Sequence, residues 1–189
     1  MPHARRNAAL AVGLALALAA SPRLADRASA APARAAAKTE SAGGVQWTVP
    51  AKWTAGAGSS MRVATYAVPA ARTSPAGECA VFFFGPGQGG SVADNVARWG
   101  KQFEGAPSPA SRETTVGGLK VTRAEVAGTY LAPGGPMMQS TGKRPGYRLL
   151  GAIVEAPEGN VFFKLTGEAA TVAAAQADFD ALVASLKKK

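Results

Sequence analysis

Histidine is almost missing from this 189-residue chain, whose only copy is His3. Catalytic triads and dyads that need an imidazole base are therefore excluded from the rest of the sequence. Zinc, copper and iron sites built on histidine are excluded for the same reason. The acidic residues are scattered and show no calcium-loop spacing. We expect no metal site and no cofactor.

Cysteine is equally scarce, since Cys79 is the only one. A disulfide within the chain and a CxxC redox pair are thus excluded. Cys79 lies in the apolar run ECAVFFF, where a lone cysteine usually serves as a small buried side chain. A reactive thiol or an intermolecular disulfide is the alternative that the sequence leaves open.

The N-terminal residues 1–30 have the layout of a secretory signal peptide. Two arginines precede an apolar run at 8–20, and a small-residue cleavage pattern follows at 28–30. That run is shorter than the roughly 20 residues of a membrane helix. Residues 31–44 are predicted to be a flexible Ala/Pro-rich tether, and residues 45–187 a single globular domain. We therefore expect an exported protein, periplasmic or extracellular, with no stable membrane insertion after signal cleavage.

Positive charge is concentrated at the ends of the chain. The whole chain has a net charge of +9, whereas residues 41–186 carry twelve basic and ten acidic side chains, a net charge of +2. A nucleic-acid-binding domain shows its basic excess on the folded surface, so nucleic acid is not an expected partner. The final lysines, residues 187–189, are predicted to form a solvated helix end.

A glycine-rich stretch at residues 85–90 satisfies the pattern G-x-G-x-x-G. A dinucleotide-binding fold needs a parallel strand after the following helix, but here a Pro-rich break and hairpin-like strands follow. Pro86 also lacks the backbone N–H that a phosphate cradle needs. We predict a strand-to-helix turn that feeds a Ser91 cap. The candidate ligand or partner contacts in this loop are Gly85, Gly87, Gln88, Gly89, Gly90 and Ser91.

A second loop, at residues 132–146, contains four glycines and three prolines. Loops of this length are often functional or mobile. Simple connection is the alternative interpretation for both loops. The candidate ligand or partner contacts in and beside this second loop are Met137, Met138, Lys143, Arg144 and Tyr147.

Between these loops the sequence alternates strand and helix patterns. Strand-like runs precede an amphipathic helix at 91–104, two hairpins turn at Gly117-Gly118 and at 157–159, and a helix closes the chain. The runs at 78–84 and in LLGAIV are apolar on both faces, as expected of covered central strands. The predicted fold class is α+β, with a largely antiparallel sheet covered by helices.

Three stretches resemble motifs of uncharacterised secreted bacterial proteins with a PsbP-like (Mog-type) α/β/α sandwich domain. They are the W-x-V-P opening at 47–50, the glycine loop and helix start at 84–92, and the LLGAIVE to FFK-x-TG segment at 149–167. The resemblance spans most of residues 45–186. It implies an accessory or binding module without catalysis. No Ran-binding or photosystem-binding motif is present, so neither partner is implied.

These observations favour an exported, non-catalytic accessory or binding module of the bacterial cell envelope, whose partner is another envelope protein or complex. One alternative is an enzyme that uses carboxylate or thiol chemistry. Another is a small-molecule or lipid carrier, with an apolar cavity between helix and sheet lined by the phenylalanines at 82–84 and 162–163.

Overall fold

Strands dominate the structure, and two helices interrupt them within the described ranges. The computed structural model describes residues 38–58, 61–132 and 142–189. The predicted signal peptide at 1–30 lies outside these ranges. The elements are β1 (Thr39–Ala42), β2 (Val45–Thr48), β3 (Thr54–Ala55), β4 (Ala64–Val68), β5 (Gly77–Phe83), α1 (Val92–Gly100), β6 (Ala110–Val116), β7 (Leu119–Ala132), β8 (Gly142–Ala156), β9 (Gly159–Glu168), α2 (Ala169–Ala184) and β10 (Lys187–Lys188).

Seven strands form one large sheet in the order β3-β4-β5-β9-β8-β7-β6, and every neighbouring pair is antiparallel. A small antiparallel sheet has the order β1-β2-β10. The predicted hairpins are confirmed at Gly117-Gly118 and at Gly159. The α+β class with a largely antiparallel sheet is therefore confirmed.

Period-two alternation along β9 separates two apolar layers. Val161, Phe163 and Leu165 face the layer that contains α2, where Phe179 and Leu182 are also buried. The other face of the sheet carries a smaller cluster with Trp99 and Phe103, from α1 and the turn after it. None of the helices in the described parts of the chain is long and apolar enough to cross a bilayer.

Helix α1 begins at the predicted cap. The Ser91 Oγ accepts a hydrogen bond from the Asp94 backbone N–H at 3.1 Å and donates one to Asp94 Oδ2 at 2.6 Å. The helix packs closely on the sheet because Trp99 lies over Gly151, where a Cβ atom would come within 2.0 Å of the indole. With only nine residues, α1 covers part of its face, so the coverage by helices is less complete than predicted.

Both ends of the domain differ from the prediction. Residues 39–42, inside the predicted flexible tether, form β1 and pair with β2. The predicted helix end at the final lysines is also wrong, because Lys187 pairs with Gln46 and Lys188 with Val45 as strand β10. These polar strands are held by backbone pairing with β2, whose Val45 and Trp47 are buried in the core.

Candidate functional site

The α1 face of the large sheet is open beside the helix, over β5 and β9. A cleft of about 330 Å³ lies there, and we call it the Lys164 cleft. Residues of β7 and of β8, the strands before and after residues 133–141, contribute to its lining. The polar and aromatic side chains that define it are Arg62, Glu78, Tyr130, Arg144, Tyr147 and Lys164.

Lys164 reaches the cleft because it alternates with the core residues of β9. Its cross-strand neighbours are Ala80 on β5 and Gly151 on β8, and the Trp99 ring covers Gly151. Lys164 Nζ donates to Gln102 Oε1 at 2.5 Å and to Tyr130 Oη at 3.3 Å. Among the described residues, no carboxylate forms an ion pair with this amine.

Burial lowers the pKa of Lys164 to about 8, because removing the ammonium group from water disfavours its charged form. The guanidinium of Arg62 lowers the same pKa further, and the Glu78 carboxylate opposes the shift. Lys164 is thus a cation held in a place that disfavours its charge. A buried lysine is unusual in a folded protein unless an opposite charge pairs with it.

The Arg62 side of the cleft is partly neutralised. Arg62 pairs with Glu78 at 2.9 Å, and its guanidinium lies 5.7 Å from the centre of the Phe82 ring. A cation over an aromatic face is favourable and keeps the guanidinium in position. This pair places one carboxylate and one guanidinium along the lining of the cleft.

Two stacked tyrosines form another wall. The rings of Tyr130 and Tyr147 lie 5.7 Å apart and are nearly parallel, with an angle of 7°. Arg144 donates to Tyr147 Oη at 3.4 Å and lies 5.8 Å from the centre of that ring. Tyr130 is buried, and burial raises its pKa, so its hydroxyl keeps its proton at neutral pH.

Thr166 adds an unsatisfied polar group to the cleft. It lines the cleft from β9, and its buried hydroxyl has no hydrogen-bond partner among the described residues. Buried hydroxyls are normally paired.

The second predicted loop contributes to this cleft, whereas the glycine loop does not line it. Arg144 and Tyr147 lie in the cleft. Lys143 pairs instead with Glu104 on the surface, and Met137 and Met138 lie outside the described residues. A role for these residues in contacting a ligand or partner remains a prediction.

The glycine loop has the geometry of the predicted turn. Gly85, Gly87, Gly89 and Gly90 all have positive φ angles, between 69° and 96°, which glycine adopts without strain. The side-chain amide of Asn95 donates to the carbonyls of Gly89 at 2.7 Å and Ser91 at 2.8 Å, which closes the turn onto α1. Gln88 is exposed. The contacts predicted for this loop likewise remain a prediction.

Sequence reasoning missed Lys164, Arg62, Glu78 and Tyr130 as site residues. The segment NVFFKLTG contained the signal for Lys164, because a lysine that alternates with Phe163 and Leu165 must face the opposite side of a covered strand. Glu78 comes from β5, Tyr130 from β7 and Arg62 from the segment before β4, and only the strand order brings them together.

The thiol considered for catalysis lies outside the Lys164 cleft, and the carboxylate that lines the cleft has no second acid beside it in the described lining. Cys79 is fully buried, and burial raises the pKa of its thiol, so it is a core side chain as predicted. Glu78 is the only acid among the described residues that line the cleft. Within the described parts of the chain, no group of three acidic, cysteine or histidine side chains is placed to hold a metal ion.

No protein-family model matches the chain, and no curated protein matches it. Solved structures do resemble it. Cyanobacterial PsbP (CyanoP) from Synechocystis sp. PCC 6803 matches with a TM-score of 0.51 and 12% identity, over 85% of this chain and 98% of that one. The protein of unknown function PA94 from Pseudomonas aeruginosa has a TM-score of 0.48 and 12% identity, over 81% and 97% of the two chains. The similarity to CyanoP shows that this chain is an α+β protein with a PsbP-like fold.

Proposed function

We propose that this protein is an exported, non-catalytic binding module of the bacterial cell envelope, and that its Lys164 cleft binds a small organic anion. The observation that carries the proposal is the Lys164 ammonium group, which is desolvated and has no carboxylate partner among the described residues. Buried charges in folded proteins are usually paired. A bound anion would supply the missing counter-charge.

Donor counting supports the same conclusion. A lysine ammonium group has three protons to donate. Two of them are directed to Gln102 and Tyr130, and no group among the described residues accepts the third. The lysine therefore offers an anion one donor that the described residues do not satisfy.

The charge balance of the cleft also favours an anion. Arg62 is paired with Glu78, but Arg144 forms no ion pair with a described carboxylate and only contacts Tyr147. Lys164 and Arg144 therefore leave a local excess of positive charge in a domain whose overall charge is small. Such a concave basic surface concentrates anions from solution.

The lining sets the size and shape of the ligand. A cleft of about 330 Å³ lies at the lower end of small-molecule sites. The rings of Phe82 and Tyr147 offer flat apolar surfaces beside the cations. A compact ligand with one carboxylate or phosphate group and a flat or apolar body fits this arrangement best.

The alternative functions receive less support from the same geometry. Thiol chemistry needs an accessible thiolate, whereas Cys79 is buried with a raised pKa. A pair of carboxylates facing one cleft would be needed for glycosidase-like chemistry, and Glu78 has no such acidic neighbour along the described lining of the Lys164 cleft. A lipid carrier would need a sizeable apolar cavity between helix and sheet, whereas the pocket beside Phe82, Trp99 and Phe162 has a volume of only about 160 Å³.

Titration calorimetry with benzoate and phenyl phosphate as anionic probes, and benzamide as the neutral analogue, tests the binding function. We expect the anions to bind and benzamide to bind at least tenfold more weakly. Lys164→Met should weaken anion binding by about 10- to 100-fold, the equivalent of one charge-assisted hydrogen bond. Lys120→Met, at an exposed lysine on β7, is the matched control and should bind like the wild type. Equal affinity of the wild type and Lys164→Met would reject the cleft as the anion site.

Export is tested separately by expressing the whole chain in a bacterial host, fractionating the cells and sequencing the N-terminus of the mature protein. We expect cleavage after residue 30, where the small-residue pattern ends. An intact N-terminus in the cytoplasmic fraction would contradict the proposed localisation without affecting the test of the cleft.

A further inference from the structure

We propose that the Lys164 amine forms a reversible imine with an aldehyde or ketone that also carries a carboxylate or phosphate group. This inference rests on the proposed function, because the same cleft must hold the anionic group of the ligand. It adds the chemical class of the ligand: a small carbonyl compound with a negative charge.

The first argument is the position of the amine. Lys164 lines the open Lys164 cleft, and its Nζ forms hydrogen bonds with neutral groups on Gln102 and Tyr130. No carboxylate among the described residues pairs with it to hold the amine in its charged form. Nucleophilic lysines are placed in this way, in desolvated sites close to another cation, and Arg62 is that cation here.

The second argument is the fraction of amine that is able to react. With a pKa of about 8, roughly a quarter of Lys164 is neutral at pH 7.5. An ordinary lysine is only about 0.1% neutral at that pH. The neutral, nucleophilic form is therefore enriched about 200-fold at this position relative to a solvent-exposed lysine.

The third argument is the hydroxyl of Tyr130, 3.3 Å from the amine. In the first step, the nitrogen lone pair attacks the carbonyl carbon, the carbonyl π electrons move to oxygen, and a proton passes from nitrogen to that oxygen. In the second step, the carbon–oxygen bond of this carbinolamine breaks, and the oxygen leaves as water with the Tyr130 proton. The nitrogen then returns its remaining proton to Tyr130, so one water leaves and nothing is oxidised or reduced.

The fourth argument is the placement of the anionic end. Arg144 lines the same cleft as Lys164 and is held against the Tyr147 ring. Its guanidinium has the fork geometry that suits a carboxylate or phosphate. A ligand that binds Arg144 through its charge presents the rest of its body to a cleft that contains the amine. A neutral aldehyde lacks this attachment and should react less.

Trapping with 4-carboxybenzaldehyde and sodium cyanoborohydride at pH 7.5 tests the inference on the protein that begins at residue 31. Peptide mass spectrometry then compares the reduced adduct at Lys164 with that at Lys120, which is exposed and paired with Glu113 and Glu155. We expect the initial labelling rate at Lys164 to exceed that at Lys120 by at least tenfold. Benzoate should compete with this labelling, and neutral benzaldehyde should label Lys164 at least fivefold more slowly.

Lys164→Arg is the control for the labelled position, because arginine does not form the imine, and we expect this variant to lose the fast-labelling site. Benzoate binding and labelling of the wild type together separate the two proposals. If benzoate binds the wild type but Lys164 labels no faster than Lys120, the imine is rejected while the anion site stands. If benzoate does not bind and labelling shows no preference, both proposals fail. Equal labelling by the charged and neutral aldehydes would reject an anionic carbonyl ligand.

Discussion

Replacing Lys164 with methionine is expected to remove a specific pH dependence of folding stability. In the folded protein the pKa of Lys164 is about 8, against 10.5 for an exposed lysine. Between these two values the unfolded chain binds more protons than the folded one, so stability rises with pH across this window. Below pH 8 both states are protonated, and the full cost of burying the charge is present.

The magnitude follows from the two pKa values. Moving the wild type from pH 7 to pH 10 should relieve about 2.5 kcal/mol of this cost. This is an upper value, because the cleft opens to water, which screens part of the penalty. Lys164→Met has no charge to bury, so its stability advantage over the wild type should be largest at pH 7 and should shrink by about 1.5–2.5 kcal/mol at pH 10.

Urea denaturation followed by tryptophan fluorescence at pH 7, 8, 9 and 10 measures this difference. Lys120→Met is the matched control, because its exposed amine pairs with Glu113 and Glu155, and these carboxylates raise its pKa. A raised pKa stabilises the fold at low pH and loses that effect as pH rises, so the control should deviate in the opposite direction, if at all. Parallel pH profiles for the wild type and Lys164→Met would refute the desolvation of the amine.

Three further predictions concern the packing on the two faces of the large sheet. Gly151→Ala should lower the free energy of unfolding by about 1–3 kcal/mol, because its Cβ would lie 2.0 Å from the Trp99 ring; urea denaturation measures this. Tyr66→Phe removes the oxygen that accepts from Trp47 Nε1 at 2.9 Å and should cost about 1–3 kcal/mol, with a change in native tryptophan fluorescence. Cys79 should react with iodoacetamide only after unfolding, since it is fully buried, as mass spectrometry of the intact protein can determine.

Each of these predictions has a result that contradicts it. Gly58→Ala is the control for the glycine substitution, because its Cβ would meet nothing within 4 Å, and equal effects of both substitutions would disprove the role of close packing. An unchanged stability of Tyr66→Phe would show that the Trp47 indole finds another acceptor. Alkylation of Cys79 in the native protein at the rate of a free thiol would show that the core around it opens readily.

Local patterns in the sequence were enough to predict most of the large sheet. Alternation assigned the strands, Gly117-Gly118 and the turn at 157–159 marked the hairpins, and Ser91 marked the start of α1. The small sheet was not predictable in this way, because Thr39–Ala42 is a polar segment and Lys187–Lys188 are charged. Their strand conformation comes from pairing with β2, and such tertiary contacts override local propensity.

From the sequence, we could predict only those residues of the candidate site that lie in or beside the loop at 132–146. Arg144 and Tyr147 were found because they follow a long loop rich in glycine and proline. Lys164 lies between Ala80 and Gly151 only through the pairing of β9 with β5 and β8. Register between distant strands depends on the packing of the whole sheet, and no local pattern near any of these residues specifies it.

The strand order has a consequence for how the chain can fold as it is made. Strands β3, β4 and β5 lie at one end of the large sheet, and their inner neighbour is β9, close to the end of the chain. The first half of the protein therefore has an open sheet edge until β9 is synthesised, and such long-range pairing is slow to form. A nascent chain that ends before residue 159 should stay accessible to chaperones and proteases. Delayed closure of this kind would be compatible with the export that we propose, because a translocated polypeptide passes its channel before it folds.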